Sequence, residues 1–234
     1  SPWPSPSPPP VDSPLARAHK WRLLVAGDRI EVSRTVDPLA SERTSLWGAE
    51  EDSVSLTELA GHSRKVCAVA LSAELLVTGG QDRTVVVRSV PSLKQVGQLR
   101  DHKGQVIGLA FSPDGSLLAS GSGDRTVCVY RTGPAGIELV NKLVGHKHQV
   151  YRVAFSPDGL LVASASNDQT VRISRVVDGV CEAVLKGHRG WVFGVAFSPD
   201  GSLVASGGVD KCVRLWERGT AKCTRRLKGH SGPV

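Results

Sequence analysis

The order of apolar and polar residues along the chain repeats with a period of about 42 residues. In the last full period, VFGVAFS and SLVASGG are short apolar runs, CVRLWER alternates apolar and polar residues, and KCTRRLKGH is largely polar. Alternation of this kind is typical of half-buried strands. The SPDG sequence after the first run has Pro, Asp and Gly where a tight type I turn needs them. The pattern therefore predicts four short strands in each period, with hydrophobicity falling from the first to the last.

Two polar residue types recur with the same period. Five histidines lie 40, 44, 42 and 42 residues apart: His62, His102, His146, His188 and His230. Aspartates follow the first four of them after 20, 22, 22 and 22 residues: Asp82, Asp124, Asp168 and Asp210. One four-stranded sheet cannot bury both of its faces, so neighbouring sheets must stack around an axis. The sequence predicts an all-β fold made of such sheets.

The glycine–histidine pair, the SPDG hairpin and the aspartate before a strand ending in tryptophan resemble the WD40-repeat β-propeller family, over residues 59–232. The chain departs from the dipeptide that names the family, because only Trp216 keeps the tryptophan and no repeat keeps the aspartate after it. The resemblance implies a β-propeller of four-stranded antiparallel blades, with four complete blades, a partial N-terminal blade and an open ring.

The repeat boundaries predict the organisation along the chain. Complete blades are expected at 61–100, 101–144, 145–186 and 187–229. Residues 21–60 resemble part of an earlier blade with a long loop at 35–53, and residues 230–234 would begin a truncated repeat. A propeller needs a closed ring, so we interpret the chain as a fragment or a truncated isoform.

Residues 1–20 are rich in proline and serine and predict a disordered tail. The tail could serve as a ligand of a proline-binding domain, or as a substrate at the Ser-Pro steps Ser5, Ser7 and Ser13. The alternative is a linker without a partner, which we favour.

In the WD40 family a histidine, a strand Ser or Thr, the turn aspartate and the tryptophan form a hydrogen-bonded chain inside each blade. The resemblance implies the full set only in the fourth repeat, as His188, Ser206, Asp210 and Trp216. The second repeat ends on Tyr130, and Arg88 and Ser174 take the tryptophan position in the first and third. The members implied in those three repeats are His62, Thr78 and Asp82; His102, Ser120, Asp124 and Tyr130; and His146, Ser164 and Asp168.

A His–Asp–Ser set also suggests a hydrolase. A catalytic set occurs once in a protein, whereas this one recurs in every period, so we interpret it as structural. The sequence has no nucleophile elbow, phosphate loop or metal-ligand spacing, and we predict no enzymatic activity, cofactor or metal.

The turns after the histidines and after the aspartates are expected on one face of the ring, and they are rich in cations. They carry Arg64, Lys65, Arg83, Lys103, Arg125, Lys147, Arg189 and Lys211. The formal net charge is +7. Such a face would attract an acidic or phosphorylated peptide, or nucleic acid. The alternative is a solvated surface without a partner.

Three aromatic residues bear on this choice. Trp191 stands where the other repeats have Lys65, Gln105 and Gln149, so the period does not require it. A large aromatic beside arginine is typical of an interface hot spot. Tyr151 and Phe193 would extend the patch toward the central channel, although Trp191 could equally cap its own blade.

Three classes of function follow. The leading hypothesis is a protein–protein interaction scaffold or adaptor that displays the basic loop face to acidic or phosphorylated peptides. The second is an RNA- or chromatin-associated factor that uses the same face on phosphates. An enzyme is the third. Five scattered cysteines without a CxxC pair indicate buried strand residues of an intracellular protein, either cytoplasmic or nuclear, and no segment predicts a membrane span.

Overall fold

A computed structural model of the chain describes residues 20–26, 29–35, 59–90, 92–133 and 136–234. Strands β1 (Lys20–Ala26) and β2 (Arg29–Thr35) pair as a two-stranded antiparallel sheet. Lys20 and Thr35, which the sequence assigns to the tail and the loop, pair with each other at the end of this ladder. The rest of the predicted tail, the loop beyond Thr35 and the part of the predicted N-terminal blade that follows this loop, up to residue 58, lie outside the described residues.

The remaining sixteen strands form four antiparallel four-stranded sheets, each built from strands consecutive in the chain. Sheet one contains β3 (Val66–Leu71), β4 (Leu75–Gly80), β5 (Val85–Ser89) and β6 (Gln95–Leu99). Sheet two contains β7 (Val106–Phe111), β8 (Leu117–Ser122), β9 (Val127–Gly133) and β10 (Gly136–Leu143). Sheet three contains β11 (Val150–Phe155), β12 (Leu161–Ser166), β13 (Thr170–Arg175) and β14 (Cys181–Lys186). Sheet four contains β15 (Val192–Phe197), β16 (Leu203–Gly208), β17 (Cys212–Glu217) and β18 (Cys223–Lys228).

The sheets stack in chain order, with the first strand of each against the first two strands of the sheet before it. One apolar core fills each of the three interfaces. The core between sheets three and four, for example, joins Leu161, Ile173 and Leu185 to Val195 and Trp216. Burial of apolar surface from two facing sheets is what holds such blades together.

Neighbouring sheets approach closely where a glycine of the second strand faces a valine at the start of the first strand of the next sheet. A Cβ atom on Gly79 would lie 2.6 Å from Cγ1 of Val106, and one on Gly121 would lie 2.8 Å from Cγ1 of Val150. Val234 lies against Gly207 in the same way, with a distance of 2.7 Å from the added Cβ to Cγ1. Residues that follow sheet four thus begin to pack as the first strand of another sheet would.

The predicted fold class is confirmed: four antiparallel four-stranded sheets are stacked as the blades of an open propeller. Among the residues that the structure describes, sheets one and four do not pack against each other as neighbouring sheets do. None of the described segments is a helix with the length and apolar character needed to cross a bilayer.

The prediction that the cysteines are buried strand residues is only half right. Cys128 and Cys212 are buried and Cys181 is partly buried, but Cys67 and Cys223 are exposed. Cys67 lies at a β-bulge, where the register of β3 against β4 shifts between Val66 and Ala68. Cys223 begins β18, all of which is exposed.

Candidate functional site

The four His–Asp pairs fasten the loop before each sheet to the turn between its second and third strands. The histidine Nδ1 lies 2.8–3.0 Å from an aspartate oxygen in His62–Asp82, His102–Asp124, His146–Asp168 and His188–Asp210. The histidine Nε2 lies 2.8 Å from the hydroxyl oxygen of Thr78, Ser120, Ser164 and Ser206, respectively. Each set lies within one sheet and is shielded from solvent by it.

Only sheet four has a tryptophan in the chain of hydrogen bonds. Nε1 of Trp216 donates to Oγ of Ser206 over 2.8 Å. In sheet two Tyr130 takes its place, 1% exposed, but its hydroxyl has no hydrogen-bond partner among the described residues. Tyr130 therefore fills the space of the tryptophan without extending the chain.

In the other two sheets an arginine contacts the loop before the sheet. In sheet one, the buried Arg88 donates to the carbonyl oxygens of Ala60 and Leu93. In sheet three, Ser174 is too short to reach the loop, and Arg172, two residues earlier, donates to the carbonyl oxygen of Gly145 over 3.1 Å. The sequence did not predict these two contacts, because the spacing gives no account of how far a long side chain reaches.

Hydrogen bonds keep the turn aspartates ionised. Burial works against the charged form of Asp124, but hydrogen bonds from Thr126, from the backbone N–H of Lys103 and from His102 outweigh it and lower its pKa to about 2. Burial lowers the pKa of His102 and His188 below 6.5, even though the paired aspartates oppose the shift. The two imidazoles are therefore neutral at neutral pH, with the aspartates charged beside them.

The pairs bring the loop before each sheet and the turn between its second and third strands to the same edge. The backbone N–H of the residue after each histidine donates to the aspartate, as Lys103 does to Asp124 over 2.8 Å. A backbone hydrogen bond also joins the two segments directly, from Gln81 N–H to the Lys65 carbonyl oxygen in sheet one and from Val209 N–H to the Trp191 carbonyl oxygen in sheet four. We call this edge the basic edge.

The residue after each aspartate has left-handed backbone geometry. The φ angles are 69° for Arg83, 72° for Arg125, 70° for Gln169 and 59° for Lys211. This conformation is uncommon for residues other than glycine, asparagine and aspartate. This turn therefore has a similar backbone shape in every sheet, and in three of the four sheets it carries a cation.

All eight predicted basic residues are exposed. They are Arg64, Lys65, Arg83, Lys103, Arg125, Lys147, Arg189 and Lys211. Within the described part of the chain, none of their side chains forms an ion pair. Their charges are therefore available to an incoming anion.

A polar cavity of about 370 Å³ lies on this edge between sheets one and two. Arg64, Arg83 and Arg100 contribute to its lining, together with Ser63 and Asp82. Asp82 is occupied by His62, by the backbone N–H of Ser63 and by Thr84. Arg100 is absent from the residues that the sequence predicted. One signal in the sequence could have pointed to Arg100. It is followed by Asp101 and His102, whereas the other repeats have glycine before the histidine.

The three predicted aromatic residues meet on the basic edge across sheets three and four. The ring centroids of Tyr151 and Phe193 lie 5.0 Å apart in an edge-to-face arrangement. Trp191 lies 6.3 Å from Tyr151 and 6.1 Å from Phe193, and 48% of its surface is exposed. We call these three residues the aromatic cluster.

β-Bulges place two members of the cluster. The register of β11 against β12 shifts between Val150 and Arg152, and that of β15 against β16 shifts between Val192 and Gly194. Tyr151 and Phe193 are the residues left unpaired, and a bulge of this kind redirects a side chain out of the regular alternation.

The hydroxyl groups of the His–Asp sets are closed to solvent. The hydroxyl-bearing residues of the His–Asp sets are buried: Thr78 is 3% exposed, Ser120 0%, Ser164 4% and Ser206 2%. No group of three or more His, Cys, Asp or Glu side chains that could hold a metal ion occurs in the described ranges.

Comparison with known proteins agrees with the repeat pattern. The family model described as "WD domain, G-beta repeat" matches residues 53–89, 93–131, 137–173 and 179–217, most of the chain. Among similar curated proteins, Protein HIR1 of Cryptococcus neoformans is 33% identical over 123 residues, which cover 49% of this chain and 14% of that protein. The anaphase-promoting complex subunit cdh1 of Dictyostelium discoideum is 33% identical over 88 residues, covering 37% of this chain and 12% of that protein.

Human coronin-7 is 32% identical over 113 residues, which cover 47% of this chain and 12% of that protein. The matched part of the chain thus spans only about an eighth of the length of these relatives. With a family model over most of its length and four blades in its structure, the chain belongs to the WD40-repeat family.

Proposed function

We propose that the chain is a non-catalytic interaction module that binds an acidic or phosphorylated peptide on its basic edge. WD40 repeats and the relatives named above support a protein-interaction scaffold in general. The observation that carries the finer proposal is the set of eight exposed cations that form no ion pair within the described residues, on the same edge as the aromatic cluster.

The two parts of the edge would contribute differently. The cavity lined by Arg64, Arg83 and Arg100 would bind a phosphoryl group or a pair of carboxylates, because guanidinium groups donate several hydrogen bonds to such anions. The aromatic cluster would contact an apolar part of the same peptide, and Trp191 supplies the most exposed surface for it. Long-range attraction to the cations would raise the rate of association.

An RNA- or chromatin-associated role is the second candidate, since the same cations could contact phosphates of a nucleic acid. The aromatic residues do not alternate with the basic turns, as they do on surfaces that stack successive bases. They form one cluster on sheets three and four. The peptide proposal accounts better for this arrangement.

Charge reversal tests both candidates. We would change Arg64, Lys103, Lys147 and Arg189 to glutamate and measure capture of an immobilised library of acidic peptides, made with and without phosphoserine, and of a 20-nucleotide single-stranded RNA. A matched control reverses four cations away from the basic edge: Lys94, Arg131, Lys222 and Arg225. The proposal requires peptide capture to be lost in the first variant and kept in the control.

Salt dependence separates the two partners. A steep fall of log affinity with log salt concentration, for RNA alone, would favour the nucleic-acid role. Undiminished capture of every probe by the first variant would reject the basic edge as a binding surface.

A further inference from the structure

The edge opposite the basic edge contains an apolar groove between sheets three and four. Three turns form most of its wall: residues 158–161 between β11 and β12, residues 175–177 at the end of β13, and residues 218–221 between β17 and β18. The cavity measures about 750 Å³. This volume lies in the range of pockets that bind small ligands or peptide side chains.

The repeat itself provides a control for this region, because equivalent turns of the other sheets show which residues the fold needs there. Leu160 is 66% exposed, and the equivalent positions are serines, Ser116 and Ser202. Val177 is 79% exposed, and sheet four has Gly219 at this position.

Val180 continues the departure in the same turn. It is 48% exposed, and the equivalent residues are Lys94 and Lys222. Three exposed apolar residues thus replace small or polar residues on one edge of one sheet. The blade does not need them, and exposed apolar groups concentrated in this way mark binding surfaces.

The replacement of serine by Leu160 also frees a carboxylate oxygen. In sheets two and four, the serine hydroxyl donates to Oδ2 of the aspartate in the SPDG turn, over 2.7 Å for Ser116–Asp114 and 2.6 Å for Ser202–Asp200. In sheet three, Oδ2 of Asp158 instead lies 3.9 Å from Nη1 of Arg218. This distance is too long for a hydrogen bond, so the guanidinium group is only loosely held.

The other cation of the groove, Arg175, is already paired. Arg175 donates to both carboxylate oxygens of Asp178, over 3.1 Å and 2.6 Å, and lies 3.9 Å from Glu182. Within the described residues, the side chain of Arg218 makes no hydrogen bond and is 39% exposed. Arg218 is therefore the cation in this groove with capacity for a new anion.

We propose that the groove is a second peptide-binding site, for a segment that carries a large apolar side chain next to a carboxylate. The apolar side chain would contact Leu160, Val177 and the apolar wall, and the carboxylate would pair with Arg218. The nearly balanced charges of the lining disfavour a highly charged ligand, so this partner differs from one that would bind the basic edge. The site does not depend on the function proposed above.

The test pans a phage-displayed library of random 12-residue peptides against the chain. A parallel selection uses the double variant Leu160→Ser and Val177→Gly, which carries residues that equivalent turns already contain and is therefore expected to fold. Thermal melts check the fold of both proteins.

We expect the native chain to enrich peptides with an apolar residue beside Asp, Glu or the free C-terminus, and their affinity to fall about tenfold or more in the double variant, which corresponds to about 1.4 kcal/mol. Arg218→Gln should remove the preference for the acidic residue but keep the apolar one. The charge-reversed variant of the basic edge should bind these peptides normally.

Two outcomes would overturn the site. One is the absence of any enriched motif on the native chain. The other is enrichment of peptides that the double variant binds equally well, or whose affinity Arg218→Gln leaves unchanged. Loss of binding in the charge-reversed variant would show that the peptides bind the basic edge instead.

Discussion

The indole Nε1 of Trp216 and the Oγ of Ser206 lie 2.8 Å apart inside sheet four, and the same Oγ lies 2.8 Å from Nε2 of His188. The hydroxyl group thus connects the third strand of the sheet to the loop that precedes its first strand. Asp210 completes the set through Nδ1 of His188, 2.9 Å away. Each member satisfies a polar atom of the next, so that removal of one leaves another buried without a partner.

Asp210→Ala should lower the free energy of unfolding by about 1–3 kcal/mol, since it strands the His188 imidazole and the backbone N–H of Arg189. Urea unfolding followed by circular dichroism would measure the loss. Asp200→Ala is the matched control, because Asp200 is an exposed turn aspartate that bonds only to neighbouring residues. Equal losses in the two variants would contradict the structural role given to the His–Asp pair.

Tyr130→Phe and Trp216→Phe should have opposite consequences although both retain an aromatic ring. The Tyr130 hydroxyl is buried without a partner among the described residues, so its removal should leave stability unchanged or raise it by up to about 1 kcal/mol. Trp216→Phe removes the hydrogen bond to Ser206 and part of a fully buried side chain, and should cost about 2 kcal/mol or more. Differential scanning calorimetry would measure the stability of both variants. A large loss of stability in Tyr130→Phe would mean that the Tyr130 hydroxyl does have a hydrogen-bond partner.

Acidification should destabilise the fold in two stages. The pKa values of His102 and His188 are lower in the folded chain than the ordinary 6.5, so the unfolded chain takes up protons first and stability falls as the pH drops below about 6.5. The pKa of Asp124 is about 2 in the folded chain and 3.8 ordinarily, so its contribution is present above pH 3.8 and is lost as the pH falls toward 2. Chemical denaturation at pH values from 2 to 8 would measure both stages.

His102→Gln provides the control for the first stage, because glutamine cannot titrate in this range. The variant should show a weaker pH dependence between about pH 5 and 6.5 than the native chain. A native chain that becomes more stable between pH 7 and 5 would contradict the assignment of neutral, buried imidazoles.

Trp191→Ala should weaken binding of a captured acidic peptide by about tenfold or more. Stability should change little, since the ring is half exposed beside Tyr151 and Phe193. Isothermal titration calorimetry would measure the affinity. Val209→Ala, at an exposed apolar residue in the neighbouring turn, serves as the control. Full affinity in Trp191→Ala would exclude the aromatic cluster from the binding surface.

The period in the sequence was sufficient to predict the four sheets, because histidine, aspartate and the SPDG turn each have a fixed place in the strand order. The structure differs where a residue acts outside that local order. Arg88, at the position of a missing tryptophan, and Arg172, two residues before another, bond to the loop before the sheet through the length of their side chains, and spacing alone does not encode that reach.

The contacts between sheets were harder to predict for the same reason. Tyr151 and Trp191 belong to different repeats. They meet at one edge, where the bulges in β11 and β15 place Tyr151 and Phe193. Arg100 was not predicted because it follows the end of a strand, where the residue type varies from repeat to repeat. The other arginines that line its cavity, Arg64 and Arg83, lie far from it in the sequence. The groove, in contrast, shows in the sequence once Leu160 is compared with Ser116 and Ser202.

Strand β11 runs between the two proposed binding sites. Its six residues begin beside the aromatic cluster, and the chain that leaves Phe155 forms the turn that exposes Leu160. Six residues of extended backbone measure about 20 Å at most, and the bulge at Tyr151 bends the strand at the end that carries the aromatic cluster. Two proteins bound at opposite ends of this strand would be held apart at a fixed distance, and the pair of blades would act as a rigid spacer between them.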